Sequence, residues 1–557
     1  MRPERLIYLP LGGAGEIGMN LYIYGWGRAD AERLIVADIG VAFPDMDSSP
    51  GVDLIFADAE WLIARRNRLE AIFLTHAHED HVGALGYLWE ALRAPVYARA
   101  FTGRIATLKM EERGQDPAHV NIVGPFPEQV AAGPFKVGFL PVSHSIPEAS
   151  ALVIDTPKGR LIHTGDFKLD PDPGLSEAHD PEAWAEAARP GIHALICDST
   201  NVFSPHPGRS ESSLPDNLHR FVADASGMVV ATTFASNIAR VRALAEAGIA
   251  AGRSVALLGR AMQKMVRVAE ETGVIDAFPP LITAEDAGDL PRGQVMLIVT
   301  GSQGETRAAS AQLARGRFLG LELKEGDSFL FSSKTIPGNE RAVLRIVNAL
   351  SEKGVTVVDG EDGAYHVSGH ANRPDLQEVH RMTDAHMVIP MHGEHRHLRA
   401  HRDLAEADGR ASVIAPNGTL VDITGDKPVI AGKIEAGRVY VDGRVRVGAR
   451  DGVVRDRLRL ARNGLLVVTM ILEDDDTPIG APWVEVIGLS ETGRSGRAVS
   501  DRVEAALERL VGGLDGGVLG DDRQLEEMLT RTARKAADGE LGKKPEIAVV
   551  ISRLGSE

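Results

Sequence analysis

One cysteine in 557 residues, Cys197, leaves no partner for an internal disulfide and no thiolate set for a cysteine-rich zinc site. That scarcity fits a reducing compartment. No run reaches the roughly 18 apolar residues that a membrane-spanning helix needs. The opening, MRPERLIYLPLGGAGEIGMN, has no apolar core followed by a small-residue cleavage site, so it does not read as a secretory signal. A cytoplasmic protein without membrane contact is the expectation. Basic excess is missing too: 61 Lys and Arg face 78 Asp and Glu, a net charge of −17. This excludes a protein that binds nucleic acid mainly through a basic surface. A nuclease is not excluded, because a metal site needs carboxylates and a local basic channel can coexist with an acidic exterior.

The length exceeds what one hydrophobic core supports, so two or three domains are expected. Short apolar runs recur and end at polar or glycine residues: AIFLTHAH, RLIHTGDFK, ALICDSTN, MVVATTFASN, SVALLGR, VMLIVTGSQGE, SFLFSSKT, VTVVDG and MVIPMHGE. Their length and their Val, Ile, Leu and Phe content predict buried strands. Helical patterns lie between several of them, including HVGALGYLWEALRA and ASNIARVRALAEAGIAAG, where Gly248 suits a helix end. Strands alternating with helices predict an α/β fold. From Gly437 to Arg462 come eight arginines, at 438, 444, 446, 450, 455, 457, 459 and 462, in what reads as short strands and turns. They have three readings: an RNA path, a solvated strand surface balanced by acidic neighbours, or a subunit contact. From about Leu465 the pattern strand, strand, helix, Gly/Asp-rich loop, helix, strand predicts a small separate α/β domain.

The polar residues that carry chemistry fall at the C-terminal ends of the apolar runs, where α/β sheets place their sites. LTHAHEDHVGAL holds His76, His78, Asp80 and His81 within six positions. Neutral imidazoles and carboxylates suit zinc or manganese, and a loop so polar and compact has little to bury. One loop does not complete a metal site without strain. Further donors stand in similar settings: His144 in FLPVSHSIP, Asp166 in LIHTGDFKLD and His392 in VIPMHGEHRH.

The order Asp38, His76-x-His78-x-Asp80-His81, His144, Asp166 resembles the metallo-β-lactamase superfamily. The resemblance implies that His76, His78 and His144 hold one metal and that Asp80, His81 and His392 hold a second. Asp166 would bridge them, and Asp38 would orient the site from behind. Two metals about 3.5–4 Å apart would activate a water for in-line attack. Zinc is the first expectation, with manganese or magnesium as alternatives for activity.

His392 stands 226 positions after Asp166, and a further strand–helix series lies between them. A small-molecule hydrolase does not need that insertion. CDSTN (Asp198 to Asn201), HVSGHA (His366 to Ala371) and MHGE (with His392) look like the added motifs of the β-CASP nucleases. The histidine in the third motif favours the RNA-processing members. LPLGGAGEIGMN, TTFASNIAR, VTGSQGE and SSKTIPGNE are similar to the ribonuclease J family.

That resemblance implies a metallo-β-lactamase αββα sandwich with an inserted α/β β-CASP domain and a small C-terminal α/β domain. The sandwich would occupy residues 1–210 and, with a linker, 371–460; the insertion would be 211–370 and the C-terminal domain 461–557. It implies a 5′-to-3′ exoribonuclease that prefers 5′-monophosphate ends, with some endonuclease activity, acting in RNA maturation and decay. His370 is the candidate for general acid or for stabiliser of the phosphorane charge, oriented by Asp198, and Asp80 would belong to the catalytic set as well as to the ligands. Hydroxyls, backbone N–H groups and an imidazole for a phosphate pocket are offered by Ser332, Ser333, His366, Ser368 and Gly369. Phe234, Ser236 and Asn237 are candidates to stack on a base and bond its edge. Expected partners are single-stranded RNA, further copies in a homodimer or homotetramer, and a degradation complex. The competing classes are a small-molecule metallohydrolase, which predicts a short connection from Asp166 to the last ligand, and a non-catalytic scaffold, which predicts lost ligands.

Overall fold

The computed structural model describes residues 3–175, 177–360 and 363–554. They form two compact units: residues up to Ala42 with Ile55–Arg438, and Phe43–Leu54 with the residues from Val439 on. Each apolar run named above contains a strand.

In the first unit two sheets face each other. One has eight strands in the spatial order Val429–Lys433, Thr419–Asp422, Glu4–Gly12, Leu21–Arg28, Arg33–Ala37, Leu69–Phe73, Val96–Ala98, Val120–Ile122. The other has seven: Gln129–Ala132, Phe135–Pro141, Ser150–Thr156, Gly159–His163, Ile192–Asp198, Met387–Met391, Ala411–Ser412. Their inner faces share one core. Tyr8, Tyr22, Tyr24 and Phe73 come from the first sheet, and Phe139, Leu152, Ile196 and Met391 from the second. Burying these large apolar surfaces is what holds the sheets together. Helices Leu85–Leu92 and Ala100–Glu111 lie beside the first sheet; Pro181–Ala188, Arg373–Thr383 and His395–Ala407 lie beside the second. This is the αββα sandwich that the motifs imply.

Gly159–His163, Ile192–Asp198 and Met387–Met391 run parallel, with His163 beside Ile196 and Asp198 beside Met391. They therefore end at one edge of the sheet, and the residues that follow them, Asp166 and His392, emerge there with Asp198 itself.

The insertion builds its own sheet of five parallel strands, ordered Ser254–Leu258, Val295–Val299, Val229–Thr232, Ser328–Phe331, Thr356–Val358. Helices cover such a sheet on both faces, so its strands read as continuous apolar runs rather than as alternation. Gly248 does not end its helix. Helix Ile238–Ala250 runs on past it, because a Cβ there would sit 2.8 Å from the sulfur of Met296 and the missing side chain lets helix and strand close up. The chain turns instead at Gly252, with φ 74°.

One buried side chain ties the insertion's entry to its exit. Arg240, on that helix, is fully buried. Its guanidinium donates to both carboxylate oxygens of Glu211 on the way in, at 2.5 and 2.8 Å, and to the carbonyls of Ser332 and, on the way out, Tyr365, at 3.0 and 3.1 Å. Removing one partner of a buried pair strands the other charge. Arg240→Met is expected to destabilise by about 3 kcal/mol or more, read as a lower urea midpoint. An unchanged midpoint would show the clasp to be dispensable.

The arginine-rich segment is half hairpin and half helix. Strands Arg438–Asp442 and Val445–Gly448 pair antiparallel, and Val453–Asn463 is a helix carrying Arg455, Arg457, Arg459 and Arg462. Arginine at alternate positions mimics a strand face. The helical signal is the half-buried set Val453, Val454, Arg457 and Leu458, spaced for one helix face. Arg457 donates to Asp442 at 2.6 Å.

In the C-terminal part, Leu465–Glu473 is the central strand, antiparallel to Trp483–Ile487 and parallel to Glu546–Leu554. Helices Val499–Val511 and Asp522–Leu541 cover one face through Leu466, Val468, Val503, Leu507, Leu525 and Leu529. The Gly/Asp-rich loop holds one short helix, Gly516–Leu519, capped by Asp515.

Candidate metal centre

Strand Leu69–Phe73 delivers the loop that carries His76 and His78, and a single helical turn, Glu79–Val82, carries Asp80 and His81. The turn lies against residues 38–40 so closely that a Cβ on Gly40 would fall 1.6 Å from the carbonyl oxygen of Asp80. Only glycine fits. Asp38 itself holds a left-handed backbone, φ 63°, which its buried carboxylate offsets with three bonds. It accepts from the Thr75 N–H and hydroxyl, each at 2.8 Å, and from Nδ1–H of His81, also at 2.8 Å.

The donors gather into three overlapping groups: His76, His78, His144, Asp166; Asp80, His81, Asp166, His392; and Asp166, Asp198, His370, His392. Within each, one atom per residue lies within 4.8 Å of the others. All seven positions implied as ligands are therefore together, although they come from four separate parts of the chain.

The first group fits a cation on the chemistry of its donors. Nδ1–H of His144 donates to the carbonyl of Gly369 at 2.6 Å. Nδ1 of His76 lies 3.0 Å from the Thr75 hydroxyl, which itself donates to Asp38, so that nitrogen also carries a proton. Nε2 of His78 pairs with the Ser236 hydroxyl at 3.0 Å. The remaining nitrogens, Nε2 of His76 and of His144, each stand 3.1 Å from Nδ1 of His78. Burial, reinforced by the neighbouring imidazoles, holds His76 well below the usual histidine range. It does the same to His144 and brings His78 to about 4, so all three rings are neutral at pH 7. Ring nitrogens of three neutral imidazoles converge, with at most the single ring proton of His78 to share among them, a donor set that suits a metal ion.

The second group asks for positive charge. Oδ1 of Asp166 is buried without a hydrogen-bond partner, and Oδ2 lies 3.3 Å from Nε2 of His81. Burial acts to lower His392, yet Asp166, Asp198 and Asp80 raise it to about 10; His81 is raised in the same way by Asp166, Asp80 and Asp38. Carboxylates that force imidazoles to stay charged are short of a cation. The donors present fit a divalent metal.

Beside these lie Asp198 and His370. Nδ1–H of His370 donates to Asp198 at 2.8 Å, and the same carboxylate accepts from the Thr200 N–H at 2.8 Å and hydroxyl at 2.7 Å. The Thr200 oxygen is 2.8 Å from Nδ1 of His392, whose backbone is also left-handed, φ 49°. The His370 ring stacks on His392 at 5.6 Å, and its side chain keeps 21% exposure.

The other expected residues divide. Ser333 Oγ and His366 Nδ1 are buried and unpartnered. Ser368 accepts from Asn201 at 2.8 Å, and Phe234 is half-buried. Ser332 is fully buried and donates to the Tyr365 carbonyl at 2.7 Å, while Asn237 caps its helix by accepting from the Arg240 N–H; both side chains are committed to the scaffold. Ser236 is turned to His78 rather than outward. A Cβ on Gly369 would meet the His144 ring at 2.9 Å, which explains the glycine.

Sequence reasoning missed Asn20, Thr75 and Thr200. Asn20 donates to the Asp80 carbonyl at 2.9 Å and is held by the Tyr22 hydroxyl at 2.7 Å. For Asn20 the available signal was its place at the end of LPLGGAGEIGMN, a stretch with no apolar period of its own.

Residues 50–209 match the metallo-beta-lactamase superfamily, 226–350 the ribonuclease J beta-CASP domain, 363–416 a Zn-dependent metallo-hydrolase RNA specificity domain, and 452–554 the ribonuclease J C-terminal domain. A ribonuclease J of Sinorhizobium meliloti is 38% identical over 555 residues, covering 99% of this chain and 98% of the relative. One of Corynebacterium glutamicum is 37% identical over 492 residues, covering 87% and 67%. A solved structure from Enterococcus faecalis, described as a protein of unknown function, shares the fold with a TM-score of 0.51 and 18% identity, over 75% of this chain and all of that one. Among the described residues no helix is long and apolar enough to cross a membrane. The donor cluster and the full-length likeness agree: the chain belongs to the ribonuclease J family and is a metal-dependent ribonuclease.

Proposed function

We propose that the chain degrades single-stranded RNA from the 5′ end, prefers a 5′-monophosphate, also cuts internally, and uses two divalent metals in RNA maturation and decay. The observation that carries this reading is the insertion's direct hold on the donor cluster. Ser236 bonds His78, and the Gly369 carbonyl fixes His144. The part of the chain that a small-molecule hydrolase lacks is thus built into the centre.

His76, His78 and His144 would hold one ion, and Asp80, His81 and His392 the other, with Asp166 between them and Asp38 orienting His81. The donor set suits zinc and manganese. When bound, such ions supply Lewis acidity and an activated water for in-line displacement at phosphorus. His370, held by Asp198 beside the same donors, would give a proton to the leaving 3′-oxygen. The unpartnered Ser333 hydroxyl and His366 nitrogen, with Ser368 and the backbone at Gly369, supply donors for a terminal phosphate. Phe234 offers a ring for the first base.

The test uses single-stranded RNA labelled at its 3′ end, carrying either a 5′-monophosphate or a 5′-triphosphate, with manganese added. Mononucleotide release that is faster from the monophosphate, abolished by chelation and restored by metal, is the expected result. Equal rates on both RNAs would refute the end preference. No cleavage of either RNA by metal-replete protein would refute the ribonuclease mechanism argued here.

A further inference from the structure

Behind the catalytic edge, in the helical layer, a second set of polar side chains is buried where apolar packing would be the default. His380 lies on helix Arg373–Thr383 and His401 on helix His395–Ala407; they are 1% and 0% exposed. Nδ1 of His380 is 3.0 Å from the Asp408 carboxylate. Nε2 of His380 is 3.1 Å from Nε2 of His401, and the two rings are nearly coplanar, 13° apart, with centroids at 5.2 Å, so they meet edge to edge. Nδ1 of His401 is 2.9 Å from the hydroxyl of Ser199, which is fully buried. The chain of bonds runs from a partly exposed carboxylate to the residue between Asp198 and Thr200.

Its direction is fixed by its ends. An ionised carboxylate only accepts, so His380 carries its proton on Nδ1 and presents a lone pair at Nε2. His401 must then carry its proton on Nε2, which leaves Nδ1 to accept from the Ser199 hydroxyl. Burial, opposed by Asp408 at His380, keeps His380 below the usual range, and burial with His380 brings His401 to about 3. Both rings are neutral, as one-proton relays require. A buried polar network with every member satisfied fixes one geometry, because any rotation strands a donor or acceptor.

We propose that Asp408, His380, His401 and Ser199 form a positioning relay for the reaction centre. It fixes the turn at residues 198–200 from behind, and through that turn the two histidines that Asp198 and Thr200 touch, His370 and His392. None of the four relay side chains contacts the reacting atoms.

The kinetic arm of the test rests on the ribonuclease reading; the spectroscopic arm does not. In full-length protein labelled with 15N-histidine, His380 is expected as the Nδ1–H tautomer and His401 as the Nε2–H tautomer, assigned by their loss in His380→Gln and His401→Gln. The reverse tautomers would overturn the relay whether or not RNA is cut. In metal-replete protein, Asp408→Ala at the far end is expected to lower kcat about tenfold, as loss of a supporting hydrogen bond does, with KM within twofold and metal content unchanged. Asp408→Asn, whose amide oxygen can still accept from His380, is expected to recover most of that loss. A wild-type kcat in Asp408→Ala, or a loss confined to KM or to the melting temperature, would overturn the positioning role.

Discussion

Asp166→Ala is expected to lower RNA cleavage about 10³-fold or more and to release bound metal. Asp166 is the one residue common to all three donor groups. Its Oδ1 is buried with no hydrogen-bond partner, and its Oδ2 lies 3.3, 3.8 and 3.9 Å from the nearest nitrogens of His81, His76 and His144. Nδ1 of His392, 3.5 Å from Oδ1, is too far to bond it, and a buried carboxylate oxygen without a hydrogen bond costs roughly several kcal/mol. Metal-ion charge stabilisation of a transition state is worth a similar amount, about 4 kcal/mol for three powers of ten. Asp166→Asn separates shape from charge: it fills the same volume, and a comparable loss in this variant assigns the effect to the charge. Metal-to-protein ratio by elemental analysis is the companion measurement. A variant that keeps both its metal and its rate would remove Asp166 from the centre.

The second large effect is expected of His370→Ala, and it is of another kind. Cleavage falls about 10²–10⁴-fold, the usual worth of a positioned acid or base, while the metal content stays at the wild-type value. The histidine is anchored by Asp198 at 2.8 Å and meets the His144 ring edge-on at 5.1 Å, but it belongs to neither the first nor the second donor group, so removing the ring takes away the proton donor and leaves the donors of both groups in place. An RNA whose scissile linkage has sulfur in place of the 3′-bridging oxygen tests the role directly. A thiolate leaves without protonation, so His370→Ala should cut that linkage at close to the wild-type rate. Equal impairment on both linkages would assign His370 to binding or to phosphoryl charge instead.

Much of the fold was legible because its signals are local. Each buried strand carries its apolar run within three to nine residues, and the ligand loop declares itself by composition. His144, Asp166 and His392 were legible for a second reason: each follows a strand, and strands of the seven-stranded sheet end at one edge. What was not legible depends on which surfaces meet. Ser332 and Asn237 have the chemistry of a binding pocket, but Arg240 and the Tyr365 carbonyl claim them. Ser236 was read as a base contact and is turned to His78. His380 and His401 sit in ordinary helical sequence, 21 residues apart, and nothing short of the packing of two helices says that they touch. The arginine helix was hidden by its own alternation.

The two sheets are stitched together by residues far apart in the chain, and this sets a schedule. Strand Glu4–Gly12 lies between Leu21–Arg28 and Thr419–Asp422, and the second donor group is incomplete without His392. Synthesis runs from the N-terminus, so a growing chain has made His76, His78, Asp80 and His81 long before it has made their last companion. Until residue 392 has left the ribosome the centre has no complete second donor group, and the first strand has only one of its two neighbours.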